Sequence, residues 1–167
     1  MSEPLIKCEP LIQSTGRVTG VMAMRLDHPP STVWSVLTEP RHLANWLAPG
    51  DIEPRVGGAV KLAFEQSGVV IDSLIAALIP ERVLEYSWSG AGEPRRPIVW
   101  SVEPNGDGAL LTLTVDIPDT EDAARGCAGW TAHLEMLAAT LEGVPIKFPF
   151  ETFKAQREIY RAQLAAC

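Results

Sequence analysis

The chain has 167 residues, with 14 Lys and Arg against 21 Asp and Glu, for a formal charge of −7. Hydrophobic residues at 46% supply the core of one ordinary domain, and charged residues at 21% exclude global disorder. The acidic balance excludes a general nucleic-acid binder, whose affinity comes from Lys and Arg on phosphates, and argues against docking on anionic lipid head groups.

Residues 1–16 carry two prolines and no hydrophobic period, and read as a loosely ordered lead-in. From Arg17 to Asp27 the apolar residues Val18, Met22, Met24 and Leu26 share one side, which predicts a strand. His28-Pro29-Pro30 ends it. Ser31 is placed to cap a short helix carrying Val33, Trp34, Val36 and Leu37. A second short helix starts near Pro40, tolerated in a first turn, and carries Leu43, Trp46 and Leu47 before Pro49-Gly50 breaks the chain.

Gly57 to Val115 reads as a meander of strands. Val60, Leu62 and Phe64 alternate with Lys61, Ala63 and Glu65, and Gln66-Ser67-Gly68 is a turn. Val69 to Ile79 is a long, more continuously apolar strand, and Pro80-Glu81 turns the chain into Leu84, Tyr86 and Trp88. A Gly/Pro loop over Ser89 to Pro97 precedes Ile98, Trp100 and Val102. The sequence Asn105-Gly106-Asp107-Gly108 is a hairpin signal leading into Leu111, Leu113 and Val115. Consecutive strands joined by short turns imply an antiparallel sheet with one buried face. A helix from about Asp119 to Glu142 follows. Ala123, Cys127, Trp130, Leu134, Leu137 and Leu141 recur on it at alternating four- and three-residue steps, one continuous apolar stripe. Gly126 and Gly129 flank the stripe and permit close approach to a sheet, and Gly143 stops the helix. A last helix, about Phe150 to Ala165, presents Phe150, Phe153, Tyr160 and Leu164 on a face that Arg157 interrupts. Residues 17–143 thus make one domain, and residues 144–167 a helical tail of the same domain. Glu-Pro occurs six times at irregular intervals, which is turn chemistry and not a repeat.

The order strand, two short helices, meander and long helix resembles the START-like superfamily. Residues 31–50 (STVWSVLTEPRHLANWLAPG), 56–64 (VGGAVKLAF), 80–88 (PERVLEYSW), 103–115 (EPNGDGALLTLTV) and 129–143 (GWTAHLEMLAATLEG) are similar, in that order, to successive blocks of one of its groups. That group is the activator-of-Hsp90-ATPase-like proteins within the polyketide cyclase and lipid-transport superfamily. The tail, FETFKAQREIYRAQLAA, is similar to helical tails of bacterial members. The resemblance implies an α+β helix-grip fold, a curved antiparallel sheet wrapped around a long C-terminal helix. It also implies an internal cavity for a small hydrophobic molecule. The last strand of this group often ends in a His or another polar residue; Val115 stands there, which implies a greasier pocket.

Catalytic motifs are scarce. His28, His42 and His133 are not paired at metal-ligand spacing, and neither a nucleophile elbow nor a phosphate loop is visible, so no metal or cofactor is expected. Cys8, Cys127 and Cys167 are scattered and odd in number, which reads as reduced thiols, with Cys127 buried on the long helix's stripe. The start lacks a basic region followed by an apolar run, and the longest apolar stretch, Leu74 to Ile79, is too short to span a bilayer. The reading is a cytoplasmic protein without membrane insertion. His133 borders the stripe one turn after Trp130 and is the candidate acid/base or ligand-donating group. Glu65 and Glu85 oppose the apolar parity of their strands and face solvent, and Asp119, Glu121 and Asp122 suit the positive end of the long helix.

Strand parity sends Phe64, Tyr86, Trp88 and Trp100 to the inner face of the sheet, with Trp130 on the facing helix and Trp34 and Trp46 on the covering helices. Phe64, Trp88, Trp100 and Trp130 are the expected pocket walls, Tyr86 the orienting polar group and Trp46 part of the lid. Three functions compete. The first is a carrier or sensor for a small hydrophobic or aromatic ligand. The others are a cyclase- or hydrolase-like enzyme using the same cavity, and a chaperone-linked or homodimeric module docking through the C-terminal helix.

Overall fold

The strands form where apolar and polar residues alternate. The structure, a computed structural model, describes residues 5–64 and 67–165; Glu65, Gln66 and Cys167 lie outside the described residues. In chain order its elements are β1 (Lys7–Cys8), β2 (Ile12–Ser14), β3 (Arg17–Leu26), α1 (Pro30–Thr38), α2 (Pro40–Trp46), β4 (Gly50–Ile52), β5 (Ala59–Ala63), β6 (Val70–Ile79), β7 (Val83–Ser87), β8 (Pro97–Asn105), β9 (Gly108–Pro118), α3 (Ala123–Leu141) and α4 (Phe150–Ala165). The nine strands make one curved antiparallel sheet in the order β1-β3-β9-β8-β7-β6-β5-β4, with β2 also paired to β3. The first long strand therefore lies beside the last, in register from Arg17 opposite Pro118 to Leu26 opposite Ala109. This is the helix-grip architecture.

Parity is cleanest in β9, where Ala109, Leu111, Leu113, Val115 and Ile117 are all buried. Opposite them on β3 lie Val18, Met22, Met24 and Leu26, also buried. The β8–β9 hairpin turns through Gly106 and Asp107, with Gly106 at φ 60°. The long helix α3 lies on this face. Gly20 of β3 is what lets it approach: a Cβ there would come within 2.7 Å of the Cys127 sulfur. Without that glycine, strand and helix could not touch at this point.

Several local expectations change. The lead-in contributes β1 and β2, which pair with β3. Strands of two or three residues carry too little pattern to show a period. Ser31 does not cap α1: the N-cap is Pro29, and the helix opens on Pro30, whose fixed φ suits the first helical position. The break at Pro49-Gly50 is followed at once by β4. The long helix begins at Ala123, not Asp119, because β9 runs on to Pro118; Asp122 caps it, accepting the Arg125 N–H at 3.1 Å. In β6, Ile71 and Ile75 are buried and Leu74 is exposed by parity, and the register shift between Ile75 and Ala77 then turns Ile79, of the same parity as Ile71, out to solvent.

The tail helix α4 packs against α3. Tyr160 is fully buried, Phe153 and Leu164 are partly so, and the Thr152 hydroxyl donates to Glu135 Oε2 of α3 at 2.7 Å. Most of the apolar face expected for a partner is thus covered by its own chain, although Phe150 and Ile159 remain exposed. No helix among the described residues is long and apolar enough to cross a membrane.

Candidate functional site

Two glycines on α3 have different neighbours. A Cβ at Gly126 would stand 2.9 Å from Ile117 Cδ1, a close helix–sheet contact as anticipated. A Cβ at Gly129 would meet nothing within 4 Å. Gly129 does not serve close packing; it borders empty space. That space is a cavity of about 840 Å³, open to solvent, between α3 and the inner face of the sheet. Along α3 it is lined from Asp122 to Met136, a run of about 20 Å at helical rise.

A continuous belt of aromatic side chains forms part of its wall. Trp88 and Trp130 meet edge to face with centroids 4.8 Å apart, and Phe64 lies 6.0 Å from Trp88. His133 continues the belt, 6.1 Å from Phe64, 6.0 Å from Trp130 and 5.5 Å from Phe148. Phe148 in turn packs on Phe150 and Phe153 at the start of the tail helix. Ile71, Ile98, Val115 and Leu47 complete the apolar lining. Val115 is thus part of the wall, at the position where the resembling group often has a polar residue.

Among the described residues, the charged lining clusters at one end, the mouth, formed by Glu93, Arg96, Asp116, Glu121, Asp122 and Arg125. The Arg96 guanidinium donates to both Glu121 oxygens, at 2.7 and 3.0 Å, and to the Trp88 carbonyl at 3.2 Å. The bonds to Glu121 hold Arg96 above its ordinary range, against a smaller opposing cost of burial. They also fasten the loop between β7 and β8 to the chain just before α3. Arg17 donates to Asp116 Oδ1 at 2.8 Å on the same rim.

His133 is the titratable residue within the aromatic belt. Its Nδ1 lies 2.8 Å from the Trp46 carbonyl oxygen, which only accepts, so Nδ1 carries the proton. Trp46 ends α2, and a carbonyl in the last turn of a helix lacks a partner within it. Burial lowers the His133 pKa below 6.5, outweighing the opposing effect of that hydrogen bond. The ring is neutral at physiological pH, with Nε2 as its acceptor.

The structure divides the sequence-predicted residues into two sets. Phe64, Trp88, Trp130 and His133 come together around the cavity. Tyr86, Trp100 and Trp46 do not reach it; each is at most 1% exposed and fills the core. Trp46 donates its indole N–H to the Val36 carbonyl at 2.8 Å and packs edge to face on Trp100. Tyr86 lies away from the cavity lining, and burial raises the pKa of its hydroxyl. Leu47, next in the chain, lines the cavity where Trp46 was expected. Phe148 and Met136 were missed. Phe148 sits in a connector without period, where only its neighbours Pro149 and Phe150 signal an ordered aromatic turn. Cys127 is buried, and desolvation pushes its thiol up to about 12, so it is inert. Among the described residues, no group of three His, Cys, Asp or Glu side chains is placed to hold a metal ion.

Comparison with known proteins fits this architecture. Residues 27–142 match the family described as Activator of Hsp90 ATPase homolog 1-like protein, and the chain belongs to that family. Among solved structures it is similar to CalU16 from Micromonospora echinospora, with a TM-score of 0.75 at 22% identity over 95% of this chain and 96% of that one. It is also similar to EF2215 from Enterococcus faecalis, a conserved protein of unknown function, with a TM-score of 0.76 at 18% identity over 93% and 90%. The protein MLL2253 from Mesorhizobium loti gives 0.68 at 26% identity over 77% of this chain and 99% of that one. No curated protein matches the sequence.

Proposed function

We propose that the protein binds a small, largely apolar aromatic molecule in this cavity, as a carrier or sensor. The observation that carries the reading is the cavity itself: about 840 Å³ walled by Phe64, Trp88, Trp130 and Phe148 around a neutral imidazole. Ligand sites are typically apolar concavities of this size with a few placed polar groups. The charged residues at the mouth support binding over acid/base chemistry. Arg96 is engaged by Glu121, and Asp116 by Arg17, and among the described residues no charged group pairs with His133.

A thermal-shift screen of the purified chain against aromatic compounds tests this. A ligand at one hundred times its Kd stabilises by about 2.7 kcal/mol, which raises the midpoint of a domain this size by roughly 5–10 °C. The same compounds should lose much of their effect on Gly129→Trp, whose indole intrudes on the cavity. Shifts of equal size in wild type and Gly129→Trp would place binding elsewhere and defeat the proposal.

A further inference from the structure

Only one atom of His133 is committed. The Trp46 carbonyl takes the Nδ1 proton, no other group among the described residues takes Nε2, and the ring forms part of the cavity wall. Its ring neighbours Phe64, Trp130 and Phe148 offer no donor of matching strength to this acceptor except the Trp130 indole, which makes no hydrogen bond to it. An acceptor held among apolar walls favours a guest that brings a donor and disfavours one that brings only acceptors. We infer that the ligand is a neutral aromatic alcohol whose ring lies in the cavity against the belt of Phe64, Trp88, Trp130 and Phe148 and whose hydroxyl donates to His133 Nε2. This rests on the cavity reading above and adds the chemistry of its polar anchor.

The rival anchor is Arg125 at the mouth, which would select a carboxylate. Four acidic groups line the cavity, Glu93, Asp116, Glu121 and Asp122, against Arg96 and Arg125, and Arg96 is already held by Glu121. Even with Arg17 bonded to Asp116 on the rim, acidic groups outnumber basic ones at this end by four to three, which disfavours an anion there. At the other end, a carboxylate facing Nε2 sets acceptor against acceptor.

Calorimetric titration of the full chain with naphthalene, 2-naphthol and 2-naphthoate at pH 7.5 separates these cases, because the three share one ring skeleton. In wild type, 2-naphthol should bind about tenfold tighter than naphthalene, the scale of one good hydrogen bond in a desolvated site. In His133→Phe that preference should vanish while naphthalene still binds, which also shows the cavity to be intact. Independently of any variant, the ¹⁵N resonance of His133 Nε2 should move upfield on adding 2-naphthol and stay in place with naphthalene. Equal affinities in wild type, or an unmoved Nε2 resonance, would overturn the anchor and leave the cavity reading standing. Tightest binding by 2-naphthoate would hand the anchor to Arg125. Binding of neither naphthalene nor 2-naphthol would remove the cavity reading and the anchor together.

Discussion

Gly126 and Gly129 provide an internal control for whether the space beside α3 is empty. Each sits inside the helix, where replacing Gly by Ala gains about 0.5–1 kcal/mol in backbone propensity. At Gly129 the new methyl meets nothing within 4 Å, so Gly129→Ala should realise that gain in full. For a domain of this size it corresponds to a rise of about 1–4 °C in the midpoint of thermal unfolding. At Gly126 the methyl lands 2.9 Å from Ile117 Cδ1, and moving a packed side chain costs about 1 kcal/mol. Gly126→Ala should therefore be neutral or slightly destabilising. The assay is a pair of melts followed by far-ultraviolet circular dichroism, with urea titrations to convert midpoints to free energies. Equal shifts for the two variants, or a lower midpoint for Gly129→Ala, would refute the idea that Gly129 borders a void.

Three further outcomes follow from the same geometry. His133 is neutral when folded because burial holds its pKa below 6.5, so below that pH the unfolded chain binds a proton that the native state refuses. Its contribution is complete above pH 6.5 and is lost as pH falls toward the folded pKa; urea titrations from pH 8 to 5 should fall less steeply for His133→Gln, and parallel curves would contradict this. Arg96→Gln should cost about 1 kcal/mol, since its two bonds to Glu121 are partly shielded, whereas the exposed pair Lys61–Asp72 should be nearly silent in Lys61→Gln urea titrations. Cys127, with its thiol near 12, should escape alkylation at pH 8.5 until the chain unfolds, while Cys8 is modified before it; peptide mapping by mass spectrometry reads both.

The fold was legible where pattern outlasts local irregularity. Nine residues of β8 and eleven of β9 alternate long enough to fix both strands and their buried face, and the stripe from Ala123 to Leu141 fixes α3. Elements as short as β1, β2 and β4 offer no period, and they exist because a longer neighbour supplies the partner groups. The site was legible only in part, because parity says which face a side chain takes and not what lies beyond it. Phe64, Tyr86, Trp88 and Trp100 share one face of the sheet. Trp100 ends under Trp46 and Tyr86 is buried in the core, whereas Phe64 and Trp88, at the ends of their strands, border the cavity. That division depends on how far α3 stands from each strand, a tertiary quantity. The same holds for the His133 tautomer, which a carbonyl 87 positions away determines.

The family match ends at residue 142, yet Phe148, Phe150 and Phe153 all border the cavity. The matched region builds the cradle, and the segment after it supplies the remaining wall. This side of the wall is therefore separable from the scaffold along the chain: grafting a different sequence from Gly143 to Phe153 would reshape one side of the binding chamber while every strand of the sheet kept its register. For anyone redesigning this protein to hold another guest, those eleven positions are the place to begin.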